Sequence, residues 1–390
     1  MPIRNRVIDL LPDIVAWRRE IHAHPELGFD EHRTSAFVAE RLREFGCDEV
    51  VTGFGKTGVV GVIKGKRDVS NGKLKVIGLR ADMDALPIEE ETGLPYTSKN
   101  KGIMHACGHD GHTAMLLGAA RYLAETRNFA GTAVMIFQPA EELSTGAVAM
   151  LEDGLMERFG IEQVYGMHSS PGLPIGSFGI RQGPMMAATD GIEIKIEGRG
   201  GHPGMPHKCI DSILVGAQLV TALQQIVAQN VDPLESAGIS FHYFHSGTPQ
   251  RFISQRAELL GSMRALTPEV RLLVKKRIGE VVAGIAQMTG ANIDLTFQNG
   301  ELVVFNHPEP TELAIRAAKD VAGEGNVVET PPILAGEDFC HLVNARPGAF
   351  VWCGNGDSAQ LHHPAYNLND EAVPYGTSFW IKLVENTLVA

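Results

Sequence analysis

The sequence predicts an α/β protein: a mainly parallel sheet with helices on both faces, interrupted by an inserted ferredoxin-like α+β domain. Three observations carry this reading. At 390 residues the chain exceeds one ordinary core, so two domains are expected. Short, continuously apolar runs alternate with helical patterns through Met167, as buried parallel strands and their covering helices do. Beyond Gly191 the pattern changes to strands with one wet face, in the order β-α-β-β-α-β.

Leu10, Ile14, Trp17 and Ile21 mark a first amphipathic helix, and Thr34, Val38, Leu42 and Phe45 a second. Apolar runs at Val59 to Ile63, Leu74 to Leu79, Thr132 to Phe137 and Val164 to Met167 read as buried strands. Helical patterns at His112 to Ala124 and Ala147 to Asp153 lie between them. In the insert, Ile192, Ile194 and Ile196 alternate with Glu193, Lys195 and Glu197. A helix through Val215, Leu219, Ala222 and Ile226 follows, then strands at Gly238 to Phe244 and Ala257 to Met263. Thr267-Pro268 caps a second helix, with proline at its first position and a seam of Val274, Ile278, Val281, Ile285 and Met288. Ile293, Leu295 and Phe297 end the insert with an alternating strand. The expected boundaries are 1–185 and 298–390 for a discontinuous first domain and 186–297 for the insert.

A hydrophobic content of 44% with 21% charged residues suits a soluble globular chain. A formal charge of −12 argues against nucleic acid or anionic membrane as the main partner. Five cysteines at scattered positions form no disulfide framework, which points to a reducing compartment. No signal peptide is legible, and no stretch approaches the ~20 apolar residues of a membrane helix, so a cytoplasmic location is expected.

The chemistry concentrates in four segments. Met104-His105-Ala106-Cys107-Gly108-His109-Asp110-Gly111-His112 packs a thiol, three imidazoles and a carboxylate around two glycines where a loop enters a helix. A core has no use for that density of polar groups, because each is costly to bury without a partner. The strand at Val134 to Phe137 runs out at Pro139 and is followed by Glu141 and Glu142. Past the proline, two carboxylates can divide the work of binding an ion and handling water. Tyr165-Gly166-Met167-His168 is a short apolar strand ending in an imidazole, and His362-His363-Pro364 offers two more, between which the sequence does not choose. Ligand-grade groups on separate segments at strand ends suit a catalytic metal site in an open α/β sheet. One catalytic ion takes about three protein ligands, whereas five suit two ions ~3.5–4 Å apart. Gly55-Lys56-Thr57 is not a phosphate loop, since Val50 stands where its first glycine belongs. His22, His24 and His32 read as structural.

At these residues the chain resembles the amidohydrolase branch of the co-catalytic metallopeptidases: hippurate hydrolases, N-acyl-amino-acid amidohydrolases and auxin-conjugate hydrolases. The matching segments are Arg19 to Gly28, Arg80 to Pro87, His105 to Thr113, Phe137 to Glu142, Gly200-Gly201-His202, Gly336 to Phe339 and His362-His363-Pro364. The resemblance implies Cys107, His109, Glu142, His168 and His362 as metal ligands, with Glu141 as general base. It implies Asp82 and Asp84 as acids that orient ligands, and His202 as the group that reaches the substrate carbonyl. Two divalent ions per subunit are implied, zinc or manganese first, with cobalt or nickel as further candidates. The insert is implied to be a lid and a homodimerisation domain. One segment departs from the pattern. Where relatives carry Asn-Val-Ile-Pro this chain reads Arg251-Phe252-Ile253-Ser254, so Arg251, with Arg264, becomes a candidate partner for a substrate carboxylate. The expected reaction is hydrolysis of the amide of a small N-acyl amino acid. The alternatives are a carboxypeptidase or dipeptidase on the same scaffold, a hydrolase with Cys107 as nucleophile, or a protein that binds metal or ligand without turnover.

Overall fold

The computed structural model describes residues 5–67 and 75–389. Leu74, the first residue of one expected strand, lies outside them. The chain divides into two compact units. One takes the residues up to Gly183, Phe305–Pro331 and those from Asp338 onward; the other takes Pro184–Val304 and Pro332–Glu337.

The first unit is built on an eight-stranded sheet. Its order is Glu49–Phe54, Gly58–Lys64, Thr132–Gln138, Val76–Asp82, Gln163–Ser170, Gly348–Gly354, Phe178–Gly179, Val327–Val328. The four central strands run parallel, with Ile77 opposite Ala133 and Gln163, and Val164 opposite Gly348. Their residues are apolar on both sides because helices cover both faces, as parallel crossover connections require. Helix His109–Thr126 is buried from His109 through Ala120. Helices Asn5–His22 and Val373–Thr387 contribute Val7, Leu10, Ile14, Phe379, Trp380 and Val384 to the same core. All four central strands end on one side of the sheet, and the loops that follow them carry the polar clusters.

The second unit has the expected β-α-β-β-α-β order. Its antiparallel sheet runs Asn292–Asn299, Ala188–Glu197, Arg256–Ala265, Ala237–Ser246. Ile194 sits opposite both Leu259 and Leu295. Alternation places Ile192, Ile194, Ile196, Leu259 and Met263 on a face covered by helices Ser212–Asn230 and Pro268–Thr289. The helical stripes differ slightly from the sequence reading. Leu223, rather than Ala222, is fully buried beside Leu219, and Met288 is exposed one residue before the helix ends. A 3.6-residue period drifts around the helix over six turns, which carries a terminal seam position off the face. Helix Ser212–Asn230 is also, by length and composition alone, apolar enough to cross a membrane, contrary to the sequence expectation. Its Val215, Leu219, Leu223 and Ile226 stripe packs in the core of its own unit.

Candidate metal centre

Cys107 and His109 flank Gly108, whose φ of 90° lets the chain enter the helix with both side chains turned to the same region. A Cβ at Gly108 would lie 2.7 Å from both Ser169 Oγ and Tyr366 Oη, so no larger residue fits. Cys107 Sγ is 3.2 Å from His168 Nε2. On the opposite side Glu142 Oε1 is 3.4 Å from His362 Nε2. His362 itself has a φ of 64°, and its N–H donates to Ala106 O at 2.8 Å, which pins it beside the Cys107 loop. Donor atoms of Cys107, His109 and His168 lie within 4.8 Å of one another, as do those of Cys107, Glu142 and His362, and those of His109, Glu141 and Glu142. The structure thus brings together the five expected donors and Glu141. His363 turns elsewhere: its Nδ1 accepts from the N–H of Ala365.

Backbone carbonyls only accept, and that decides the tautomers. His109 Nδ1 faces Asp84 O at 2.9 Å and Asp84 Oδ1 at 3.2 Å, so the proton is on Nδ1 and the Nε2 lone pair points into the cluster. His168 Nδ1 faces Ser169 O at 2.7 Å with the same consequence. His112 is used up differently. Its Nε2 accepts from the N–H of Ser169 at 2.9 Å and its Nδ1 donates to Asp82 at 2.7 Å, leaving no lone pair for an ion. A ligating imidazole whose other nitrogen is held by an oxygen acceptor is the usual arrangement around metals. Asp84 does double duty, since its Oδ2 also accepts from the N–H of Glu142 at 2.9 Å.

Two features of the cluster call for a cation. His109 Nε2 is buried and makes no hydrogen bond among the described residues, although it lies 3.6 Å from Asp82 Oδ2 and 3.9 Å from both Glu141 Oε2 and Glu142 Oε1. Burial pushes the Cys107 thiol well above its ordinary range, and the carboxylates of Glu142, Glu141 and Asp82 push it further. Burial opposes charge on His109 too, but Asp82, Asp84 and Glu142 outweigh it and hold the ring's pKa up at about 10, so without an ion Nε2 carries a second proton, which a bound cation would displace. Burial and the neighbouring His112 hold His168 neutral. Thiol, imidazole and carboxylate donors crowded together with excess negative charge fit divalent cations, which balance that charge and stabilise a thiolate.

Two buried arginines brace this arrangement. Arg80 donates to Asp82 at 2.7 Å, Gln138 at 2.8 Å and Asp338 at 3.0 Å, tying together the ends of adjacent strands. Arg18 donates to Asp110 at 2.8 Å and to Asp370 at 2.8 Å, and His22 adds a 2.9 Å contact to Asp110. Asp110 opens the helix that carries His109. Sequence reasoning assigned no role to either arginine, yet each leaves a signal. Arg80 interrupts an otherwise apolar strand, and Arg18 falls four residues after Ile14 on the apolar stripe of its helix. A charge in such a place must find a buried partner.

The remaining candidates lie in the second unit. His202 is exposed in the loop after strand Ala188–Glu197, its Nδ1 accepting from the N–H of Gly204. Arg251 is exposed, and Arg264 donates to Leu334 O at 2.5 Å within its own unit.

An open α/β unit whose parallel strands end in such a donor set defines a hydrolase that uses divalent metal ions. The comparison with known proteins then gives the family. Residues 78–386 match the profile of peptidase family M20/M25/M40, and the chain belongs to that family. It is 42% identical to a hippurate hydrolase of Campylobacter jejuni over 385 residues, covering 98% of each chain. It is 38% identical to an N-acetylcysteine deacetylase of Bacillus subtilis over 371 residues, 95% of each. The crystal structure of a dinuclear metal-binding peptidase of the M20 family from Bacillus subtilis superposes with a TM-score of 0.85 at 35% identity, covering 97% of this chain and 99% of that one. The protein is accordingly an amidohydrolase.

Proposed function

We propose that this enzyme hydrolyses the amide bond of N-acyl amino acids, releasing a carboxylic acid and a free amino acid. The observation that carries the proposal is the division of labour between adjacent glutamates. Both carboxylates lie 3.9 Å from His109 Nε2, but Glu142 also groups with Cys107 and with His362, 3.4 Å away, whereas Glu141 does not. Relatives named for benzoylated and acetylated amino acids support the substrate class.

Cys107, His109, Glu142, His168 and His362 would hold two divalent ions, which polarise a carbonyl and make water more acidic when bound. Glu141 takes a proton from the attacking water as its oxygen bonds to the amide carbon. The same carboxyl then gives that proton to the leaving nitrogen as the C–N bond breaks. Asp84 keeps His109 in one tautomer and fixes the backbone of Glu142. His202 donates to the oxygen on which negative charge develops. Arg251 and Arg264 are proposed to meet the substrate carboxylate, because a guanidinium fork matches it in two hydrogen bonds.

Assembly as a homodimer through the second unit is part of the proposal. Among the described residues, strand Ala237–Ser246 is an edge of its sheet, exposing Tyr243 and Phe244, and helix Ser212–Asn230 carries no charged residue while exposing Ile213 and Leu214. Apolar edges of this kind favour association. Sedimentation at micromolar concentration reports a dimer if this is right and a monomer if it is not. The substrate reading is tested by metal analysis coupled to a hydrolysis panel. Turnover of benzoylglycine or acetylated amino acids is expected, and cleavage of dipeptides alone would replace the proposal with a peptidase.

A further inference from the structure

We propose that Glu31 is a positioning residue for the reaction, its buried carboxylate clamping the turn that presents Glu141 and Glu142. The turn begins where strand Thr132–Gln138 ends, so its N–H groups have no ladder to join, and buried ones need an acceptor. Ala140 and Ser144 have φ of 51° and 56°, a left-handed conformation that side chains with a Cβ resist. The turn closes on itself through Ser144 N–H to Glu141 O at 2.7 Å and Gly146 N–H to Ala140 O at 3.1 Å. It is so tight that a Cβ at Gly146 would lie 1.6 Å from Pro139 O. Such a conformation persists only when its surroundings impose it.

Three buried carboxylates from distant segments impose it. Glu31 Oε1 accepts from Ala140 N–H at 2.8 Å, Asp84 Oδ2 from Glu142 N–H at 2.9 Å, and Asp338 Oδ2 from Ala147 N–H at 2.9 Å. Asp84 also holds His109, and Asp338 also holds Arg80. Glu31 is different: its other oxygen accepts from Thr57 Oγ1 at 2.5 Å, at the hairpin between strands Glu49–Phe54 and Gly58–Lys64. It therefore anchors the strained residue directly before Glu141 to the hairpin at the edge of the sheet. Its side chain is fully buried, so this anchor does not exchange with water.

The inference rests on Glu141 as base and Glu142 as ligand, and amide exchange reads the turn without relying on either. Glu31→Ala is expected to lower kcat about 10–100-fold, as loss of an orienting partner does, with KM within twofold. Amide exchange at Ala140 to Ser144 should quicken at least about tenfold as local opening becomes easier, and titration with zinc or manganese should show weaker binding. Glu31→Gln keeps an oxygen acceptor for Ala140 and should restore most of both readouts. Adding Ala140→Gly to Glu31→Ala should recover part of kcat, because glycine adopts that φ without strain. Unchanged exchange with kcat within twofold in Glu31→Ala would overturn the proposal, as would Glu31→Gln being as impaired as alanine. If the alanine variant does not accumulate, Glu31→Asp, too short to reach both partners, is compared with Glu31→Gln on the same readouts. Normal turnover by Glu141→Gln would remove the base role while leaving a faster-exchanging turn in the Glu31 variants intact.

Discussion

The two units bury different kinds of side chain. In the second, the interior is isoleucine, leucine, valine, methionine and alanine, largely at positions that alternation and helical stripes assign, and its buried charged residues are Asp190 and Glu337 among those described. In the first, Arg18, Arg80, Glu31, Asp82, Asp84, Asp110 and Asp338 are all essentially inaccessible, alongside the buried His22, His105, His109, His112 and His168. Apolar packing makes most of the ferredoxin-like unit's core, with the buried Asp190 paired to Arg271 and Lys275. A site that must hold cations and a base in one geometry needs interior charges, each of which must be matched by a partner from another segment. The difference is thus between a core held mainly by apolar packing and a core that also depends on polar partners from distant segments.

That contrast can be broken or sharpened by experiment. The largest effect is expected from Glu141→Gln, which should cost about 10²–10⁴-fold in kcat while zinc or manganese stoichiometry is retained. Turnover within tenfold of the parent would refute the assignment. Arg80→Met leaves Asp82 and Asp338 facing each other's surroundings without their cation, and should destabilise by about 3–5 kcal/mol while weakening metal binding. Leu259→Ala in the second unit should cost about 3 kcal/mol through the cavity it leaves, with metal affinity unchanged. If both substitutions alter metal binding equally, the distinction between the two cores fails; denaturant unfolding with parallel metal titration decides.

Next comes pH. Burial opposes charge on His22, but the Asp110 and Glu90 carboxylates outweigh it and raise its pKa to about 9. The unfolded value is about 6.5, so the stabilisation is complete below that pH and is lost as pH rises through 9. It amounts to at most roughly 3 kcal/mol. Stability curves of the parent and His22→Gln should therefore converge between pH 7 and 10; a constant gap would show that the ring is not charged in the fold. The smallest effect belongs to the second unit's surface. Arg256 donates to Glu197 at 2.7 Å in open solvent, and Arg256→Gln should leave the unfolding midpoint unchanged within error.

Much of this was legible in the chain itself. Alternation at Ile192, Ile194 and Ile196 specifies which face of a strand is wet, and this is a local property that no distant residue alters. The donor types at Cys107, His109, Glu142, His168 and His362 are equally local, because side-chain type alone makes a thiol, imidazole or carboxylate a possible ligand, while burial and neighbours set how well it binds. The family resemblance supplied which of two adjacent histidines to favour, and the left-handed turn at His362 gives the physical basis for it. Arg80 and Arg18 left a signal as charges on apolar faces, but their partners Asp338 and Asp370 lie hundreds of residues away.

Sequence alone therefore determined the two kinds of core, the element order and the chemical nature of the site, since each follows from side-chain type and short-range period. Tertiary structure decided which nitrogen of each imidazole carries its proton, why His112 is not available to an ion, and how the strained turn at Ala140 is held. Those outcomes depend on single oxygen atoms delivered from other segments to within hydrogen-bonding distance. No period or composition encodes such meetings; only the folded sheet and its loops create them.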